Sequence, residues 1–295
     1  MEIKEIGSRG VIFINERMEI NYLIKGKQYN ILCDTSSRGE QQAEEILAYL
    51  KAHQLGNKAL VIFNSHADYD HIWGNAYLNT DFIVTSEQSY QEMLERSEFE
   101  LEKFRELHTG VVLKYPSLTF SEKLNLINES IEFIFSPGHT LGCSLCYDKI
   151  DQVLFVGDLL EDPIPYIDQT NLDQYIKTLD YIKTFNCTLI NGHNGIVSKR
   201  LIDQNKKYIL DVKQQNKVDY LSHEGQKLHE HNIKTLLIKE YEGIIRQRDK
   251  FHFNYSHFMT TLEKDLFNQF NSKNLANITY SDLKKFLNQK GVNHE

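Results

Sequence analysis

The sequence is poor in cysteine and has no long apolar segment. Its cysteines are Cys33, Cys143, Cys146 and Cys187. Four in 295 residues are too few for a disulfide framework and suit a reducing compartment. Cys143 and Cys146 form a C-x-x-C pattern, but no second pair exists to complete a zinc ribbon, so we interpret them as structural. The start, MEIKEIGSRG, lacks the apolar run of a signal peptide, and no apolar run reaches the roughly 18 residues of a membrane span. We therefore expect a cytoplasmic protein without a membrane segment.

An excess of positive charge is also lacking. The chain has 41 acidic and 33 basic residues, which gives a formal net charge of -8. Because general binding to a phosphate backbone requires a basic surface, we do not expect a nucleic-acid partner. The 295 residues suffice for one large domain, or for a domain with an extension.

Apolar patterning predicts a mixed α/β fold. The segments GVIFIN, EINYLIK and QYNILCDT are typical of strands, and the helical spacing of Ala43, Ile46 and Leu50 is followed by the strand-like KALVIFN. Helices are also predicted from Ser86 to Leu107, whose acidic residues we assign to a solvated face, and around Leu172 to Ile182. From about Leu201 the chain is polar and helical in period. We expect a catalytic domain over residues 1–219 and a helical extension over residues 220–295.

Residues that commonly bind metals follow several predicted strands. The stretch NSHADYDHIWGN, directly after ALVIF, contains His66, Asp68, Asp70 and His71. Three similar residues are His139 in FIFSPGHTLG, Asp158 in VLFVGDLL and His193 in LINGHNG. A single histidine of this kind is more often a hydrogen-bonded core residue, but several strand ends can direct side chains to one point at the edge of a sheet. Together these residues suffice for two metal ions.

The order of these motifs resembles the metallo-β-lactamase superfamily over roughly residues 8–215, with Asp34, after YNILC, as the first motif. The resemblance implies an αββα sandwich with two metal ions at one edge. It implies the following ligands: His66, His139 and residue 68 for the first ion, Asp70, His71 and His193 for the second, and Asp158 bridging both. Asp34 would be a structural residue near the site.

Position 68 departs from the family pattern, which usually has a third histidine there. Aspartate is a harder and negatively charged ligand, with weaker affinity than imidazole for zinc. Either Asp68 still binds the first ion, which we favour, or it points away and leaves that site weak or empty. We expect two divalent ions, most simply zinc, with iron or manganese open because of Asp68. The related flavo-diiron reductases have glutamate at this position and bind iron.

The chemistry expected of such a site is hydrolysis. Two divalent ions roughly 3.5–4 Å apart can share a water and supply a bridging hydroxide that attacks a small ester, thioester or lactone. Asp70 is the candidate catalytic residue, because it can bind a metal and also orient the proton of the nucleophile. No G-x-S-x-G motif surrounds Ser144. We expect a small-molecule substrate, and the extension could help to form its pocket, as in glyoxalase II-type thioesterases.

Two alternatives remain open. The first is a di-iron redox or oxygen-binding protein related to flavo-diiron cores, although the last 75 residues are too short for a flavodoxin domain. The second concerns the segment FHFNYSHFMTTLEKDLF, which could form a lid over the metals. Aromatic residues at helical spacing more often pack a helix onto its neighbours, and we favour that interpretation.

Overall fold

The fold was established from a computed structural model that describes residues 1–80, 82–272 and 275–291. The last four residues of the predicted extension therefore lie outside the described residues. None of the described helices combines the length and the apolar character needed to cross a membrane.

The first sheet has seven described strands in chain order. They are β1 Glu2–Ile6, β2 Gly10–Ile14, β3 Ile20–Lys25, β4 Tyr29–Cys33, β5 Ala59–Phe63, β6 Ile83–Ser86 and β7 Leu118–Phe120. Neighbouring strands are antiparallel from β1 to β4 and parallel from β4 to β7. Strands β2 to β5 are almost continuously apolar, because both faces of this sheet are covered.

The second sheet has six described strands in the order β13-β12-β11-β10-β9-β8. They are β8 Lys123–Leu126, β9 Ile131–Phe135, β10 Ser144–Asp148, β11 Val153–Phe155, β12 Thr188–Asn191 and β13 Gly195–Val197. All neighbours are antiparallel except β11 and β12, whose parallel pairing requires a crossover. That crossover contains a helix.

The described helices are α1 Glu40–Ala52, α2 Tyr69–Ile72, α3 Glu87–Lys103, α4 Leu172–Thr184, α5 Arg200–Lys213, α6 His223–Arg248, α7 Tyr255–Phe270 and α8 Tyr280–Gln289. Short 3-10 helices lie at Asn75–Tyr77, Arg105–Leu107, Ile127–Glu129, Gly157–Leu159 and Leu275–Asn277. The crossover helix between β11 and β12 is α4.

The two sheets pack face to face, with helices on the outside. Between the sheets, the rings of Phe63 and Phe133 stack with centroids 4.4 Å apart. Helix α1 covers the outer face of the first sheet through Ala43 and Ile46, and α4 and α5 cover that of the second. The predicted αββα sandwich is therefore confirmed.

The helical extension is present as α6, α7 and α8, which share a separate apolar cluster. Its buried members include Leu237, Leu262 and Leu283. Phe258, in the segment considered as a lid, is buried in this cluster, whereas Phe251 is exposed. Helix α7 also contacts α3, where the rings of Tyr255 and Phe99 meet edge to face. These contacts favour a packing role for the segment.

Candidate metal centre

The first group of predicted site residues follows strand β5. Strand β5 ends at Phe63, and His66 lies in the loop that leads to the short helix α2. Asp68 is the N-cap residue of α2, yet its carboxylate accepts no capping hydrogen bond from the helix. Asp70 and His71 lie on α2 itself. A capping role therefore does not explain Asp68.

The second group of predicted site residues comes from the other sheet. His139 lies in the loop between β9 and β10, Asp158 in the 3-10 turn after β11, and His193 in the turn between β12 and β13. Each of these three connections contains a glycine, Gly138, Gly157 or Gly192, at which a Cβ atom would clash with a neighbouring side chain. A Cβ atom at Gly192 would lie 2.2 Å from Asp158 Oδ1, so only glycine fits beside this carboxylate.

The structure brings all seven predicted residues together in two adjacent clusters. The first cluster is His66, Asp68 and His139, and the second cluster is Asp70, His71, Asp158 and His193. Within each cluster the potential ligand atoms lie within 4.8 Å of one another. Of the two orientations considered for Asp68, the structure has the one directed into the first cluster, with Oδ2 3.1 Å from His139 Nε2 and 3.6 Å from His66 Nε2.

Asp158 is central to the second cluster and close to the first. Its Oδ2 atom lies 3.2 Å from His71 Nε2 and 3.1 Å from His193 Nε2. The same oxygen is 3.8 Å from His66 Nε2, which belongs to the first cluster. Asp70 Oδ2 is 3.4 Å from His193 Nε2. Asp158 thus lies between the two clusters.

Two buried polar atoms at the centre have no hydrogen-bond partner among the described residues. They are Nε2 of His66 and Oδ1 of Asp158. A buried polar atom without a partner is costly and calls for an explanation such as an ion. Both are atom types that bind divalent metals, so the donor set fits a metal ion.

Hydrogen bonds on the far side of the imidazoles orient them towards the clusters. His139 Nδ1 lies 3.1 Å from the Tyr166 carbonyl oxygen, which can only accept, so Nδ1 donates and Nε2 faces the first cluster. His71 Nδ1 likewise lies 2.7 Å from Asp34 Oδ2. Asp34 also accepts hydrogen bonds from the Ser65 amide and hydroxyl. The expected position of Asp34 beside the site is therefore what the structure has, and such contacts fix the ring orientation of metal-binding histidines.

Without a metal, His71, His139 and His193 hold protons that balance the carboxylates. Burial lowers the pKa of His139, but its hydrogen bond with Asp68 and the charges of Asp68, Asp158 and Glu161 together outweigh burial and raise this pKa to about 10. Burial and Asp158 oppose each other in the same way at His193, whose pKa also rises to about 10. Burial raises the pKa of Asp158, but the charges of His193 and His71 dominate and hold this pKa well below its usual range.

Sequence reasoning missed Arg96 on α3, whose Nη2 donates to Asp68 Oδ1 over 2.6 Å. The charged face of α3 was assigned to solvent, but Glu100 and Arg96 are only 7% and 9% exposed, so that interpretation is wrong for Glu100. The spacing of Met93, Ser97 and Glu100 on one helix face was an available signal.

Glu161 was also missed. It is buried, and its Oε2 accepts a hydrogen bond from the Tyr166 amide over 2.7 Å. Burial, followed by the charge of Asp158, raises the pKa of Glu161 to about 7.

The centre is open to solvent beside both clusters, since the side chain of Asp68 in the first cluster is 20% exposed. The side chain of His193 is 28% exposed and that of Asp70 is 17% exposed, whereas His71 is only 2% exposed. A small molecule could therefore approach Asp70 and His193.

Solved structures with this fold are numerous. A metallo-beta-lactamase from Hirschia baltica has 16% identity and a TM-score of 0.55, covering 70% of this chain and 96% of its own. One from Pontibacter korlensis has 17% identity and a TM-score of 0.55, covering 71% and 99%. FIM-1 from Pseudomonas aeruginosa, in a mono-zinc form, has 13% identity and a TM-score of 0.56, covering 72% and 95%. At these identities the likeness shows the fold alone.

A search of curated proteins found no match to the sequence. The family model described as the metallo-beta-lactamase superfamily matches residues 20–192, more than half of the chain, and this range includes all predicted site residues except His193. The chain belongs to the metallo-beta-lactamase superfamily.

Proposed function

We propose that the protein is a hydrolase that depends on two divalent metal ions, most simply zinc. One observation carries the proposal: two clusters of ligand-type side chains lie side by side and contain buried, unpartnered atoms, His66 Nε2 and Asp158 Oδ1. FIM-1, which shares the fold, was solved with zinc, and this supports zinc as the first metal to test.

The two clusters divide the proposed ligands between the ions. His66, Asp68 and His139 would hold the first ion, and Asp70, His71 and His193 the second. Asp158, within 3.8 Å of imidazole nitrogens from both clusters, would bridge them. When bound, such a pair of ions supplies a Lewis acid and an activated water for hydrolysis.

The residues of the chain supply orientation and proton transfer. Asp34 fixes the ring of His71 through Nδ1 and thereby directs Nε2 into the second cluster. Asp70 lies on the open side, where its carboxylate can meet a substrate and hold a proton from the nucleophile. Burial raises the pKa of Asp70, more than the charges of His71 and His193 lower it, and a higher pKa makes this carboxylate a better proton acceptor. We assign Asp70 the catalytic role.

The proposed substrate is a small ester, thioester or lactone. The centre lies in a domain of residues 1–219, and residues 220–295 form the proposed helical extension, an assignment supported by the separate apolar cluster of α6 to α8. Tyr166, 44% exposed, packs its ring against His231 of α6. Because the Tyr166 carbonyl also orients His139, the extension adjoins the first cluster and can shape one wall of a pocket. The net charge of -8 disfavours a nucleic-acid partner, and the small number of cysteines supports the proposed cytoplasmic location.

The test combines metal analysis with a substrate panel. Protein purified without added metal is analysed for zinc, manganese and iron, then assayed on thioesters, lactones, phosphodiesters and β-lactams at defined metal loading. We expect about two ions per chain and hydrolysis of an ester-type substrate, reduced about 100-fold or more in Asp70→Asn. Asp173→Asn removes the same charge from an exposed site on α4 and should retain wild-type activity. A chain that binds no metal under metal-replete conditions would refute the proposal.

The second candidate is a di-iron redox or oxygen-binding protein. The observation that favours it is the carboxylate of Asp68 beside His66 and His139, because two histidines and one carboxylate form a ligand set that non-haem iron sites use. About two irons per chain, ferric absorption bands in air and no hydrolysis across the panel would support this candidate over the hydrolase.

A further inference from the structure

Arg96 connects the first cluster to two other parts of the molecule. It lies on α3 and is only 9% exposed. Its Nη2 donates to Asp68 Oδ1 over 2.6 Å, and its Nη1 donates to Asp168 Oδ2 over 2.9 Å. Its Nε and Nη2 also contact Glu100 Oε1, one turn further along the helix. The guanidinium is therefore held on three sides by carboxylates.

The two oxygens of Asp68 have different partners. Oδ1 accepts from Arg96, whereas Oδ2 faces His139 and His66 in the first cluster. The carboxylate of Asp68 makes no capping hydrogen bond to α2, so no competing local contact of this kind determines its direction. A planar guanidinium fixes a carboxylate more strictly than a single point charge does. This arrangement leaves one oxygen of Asp68 directed into the cluster.

The charge of Arg96 matches the unusual residue at position 68. Where the family usually has a neutral imidazole, this chain has a carboxylate, and the buried guanidinium beside it supplies the opposite charge. We propose that Arg96 is the positioning residue for Asp68 and that the Asp68–Arg96 pair replaces the third histidine of the first metal site. The proposal rests on the proposed function, since it concerns the binding of the first ion. It makes Asp68 a ligand through Oδ2 alone.

The orientation of Arg96 is itself supported from the helical extension. Asp168, which accepts from Arg96, also pairs with Lys239 of α6 at 3.2 Å. Asp168 thus connects α3 with α6 indirectly. A direct ion pair also joins these helices, between Glu95 of α3 and Arg246 of α6 at 2.6 Å, but its side chains are 43% and 36% exposed and it does not reach Asp68. The pair of Glu95 and Arg246 therefore serves as a control: it also links α3 with α6, but it does not contact the metal site.

The test is a double-mutant cycle on zinc affinity. Arg96→Gln, Asp68→Ala and the double variant are titrated as full-length chains with zinc in competition with a chromophoric chelator, and their melting temperatures are measured without metal. We expect Arg96→Gln to weaken one of the two zinc sites about 10- to 100-fold, as loss of a group that orients a ligand typically does. In the Asp68→Ala background the same change should cause no further loss. Glu95→Gln should leave both sites unchanged.

Several outcomes would overturn the inference. Zinc binding by Arg96→Gln that equals or exceeds that of the wild type would show that Asp68 needs no arginine. An equal loss with and without Asp68 would show that Arg96 acts elsewhere. If Arg96→Gln does not fold, Arg96→Lys retains the charge but cannot hold Asp68 and Asp168 with separate nitrogens, so wild-type affinity in that variant would also refute the role. Failure of the wild type to bind zinc, manganese or iron would instead refute the proposed function.

Discussion

Gly192 leaves no room for a side chain beside the candidate metal centre, so Gly192→Ala is a direct test of it. A Cβ atom at this position would lie 2.2 Å from Asp158 Oδ1 and 2.9 Å from His71 Cε1, whereas ordinary contact begins at 3.4 Å. The backbone cannot withdraw easily, because the Gly192 amide donates to the Gly157 carbonyl over 2.9 Å and its carbonyl accepts from the Ile20 amide over 2.8 Å. Asp158 must therefore move by about 1 Å.

A displacement of about 1 Å is large compared with the tolerance of a metal site. Metal–ligand distances tolerate only about 0.2 Å, so Asp158 would no longer reach both ions. We expect zinc affinity and hydrolysis to fall about 100-fold, while the free energy of unfolding of the metal-free protein falls by only about 1–3 kcal/mol, the usual effect of an added methyl group in a packed site. The clash is therefore expected to affect the centre more than the fold.

The assay compares Gly192→Ala with Gly56→Ala. A Cβ atom at Gly56 would meet no atom within 4 Å, so this control adds the same methyl group without a clash. Zinc content after dialysis, chelator competition and thermal unfolding with and without zinc are measured for both variants. Wild-type zinc content in a folded Gly192→Ala protein would refute the proposed position of Asp158 in the centre.

Three further predictions concern the histidines. Asp34 has a φ of 59°, a conformation that asparagine also tolerates, so Asp34→Asn tests the role of the carboxylate itself. We expect this variant to bind zinc about 10- to 100-fold more weakly, because Asp34 orients His71. Unchanged affinity in chelator competition would contradict that role. At pH 8 and without metal, His139 and His193 hold protons because their pKa values are raised to about 10. Burial lowers the pKa of His71, but the carboxylates of Asp158, Asp70 and Asp34 outweigh burial and raise it well above its ordinary value. Metal binding requires neutral imidazoles, so calorimetry in buffers of different ionisation enthalpy should show at least two protons released per chain, and a buffer-independent enthalpy would contradict this. Because these pKa values exceed the ordinary 6.5, the stability that the protonated histidines give the metal-free protein is fully present below pH 6.5 and should be lost as the pH rises through about 10.

The sequence was most informative where burial determines residue type. Strands β4 and β5 could be predicted because both sheet faces are covered and almost every position is apolar. Strand β1 was missed because all but its last residue are exposed at the sheet edge, and pairing with β2, rather than apolar patterning, makes it a strand. The three-residue strands β7 and β13 are too short to show a periodicity.

The candidate site could likewise be predicted only in part from the sequence. The ligand-type residues could be recognised in the sequence because they follow predicted strands, and strand ends of this fold meet at one edge. Arg96 was not visible, because an arginine on a charge-rich helix is usually solvated and its partner Asp68 lies 28 positions away in the chain. Only the packing of α3 against the loop before α2 shows that this cation is buried. The orientation of Asp68 could not be predicted for the same reason.

The centre lies across the seam of the sandwich. His66, Asp68, Asp70 and His71 follow a strand of the first sheet, whereas His139, Asp158 and His193 follow strands of the second. Neither sheet therefore supplies a complete centre by itself, and ions bound there would cross-link the two sheets. A chelator that removes the ions would then be expected to abolish the proposed hydrolysis and also to weaken the packing of the two sheets at that end.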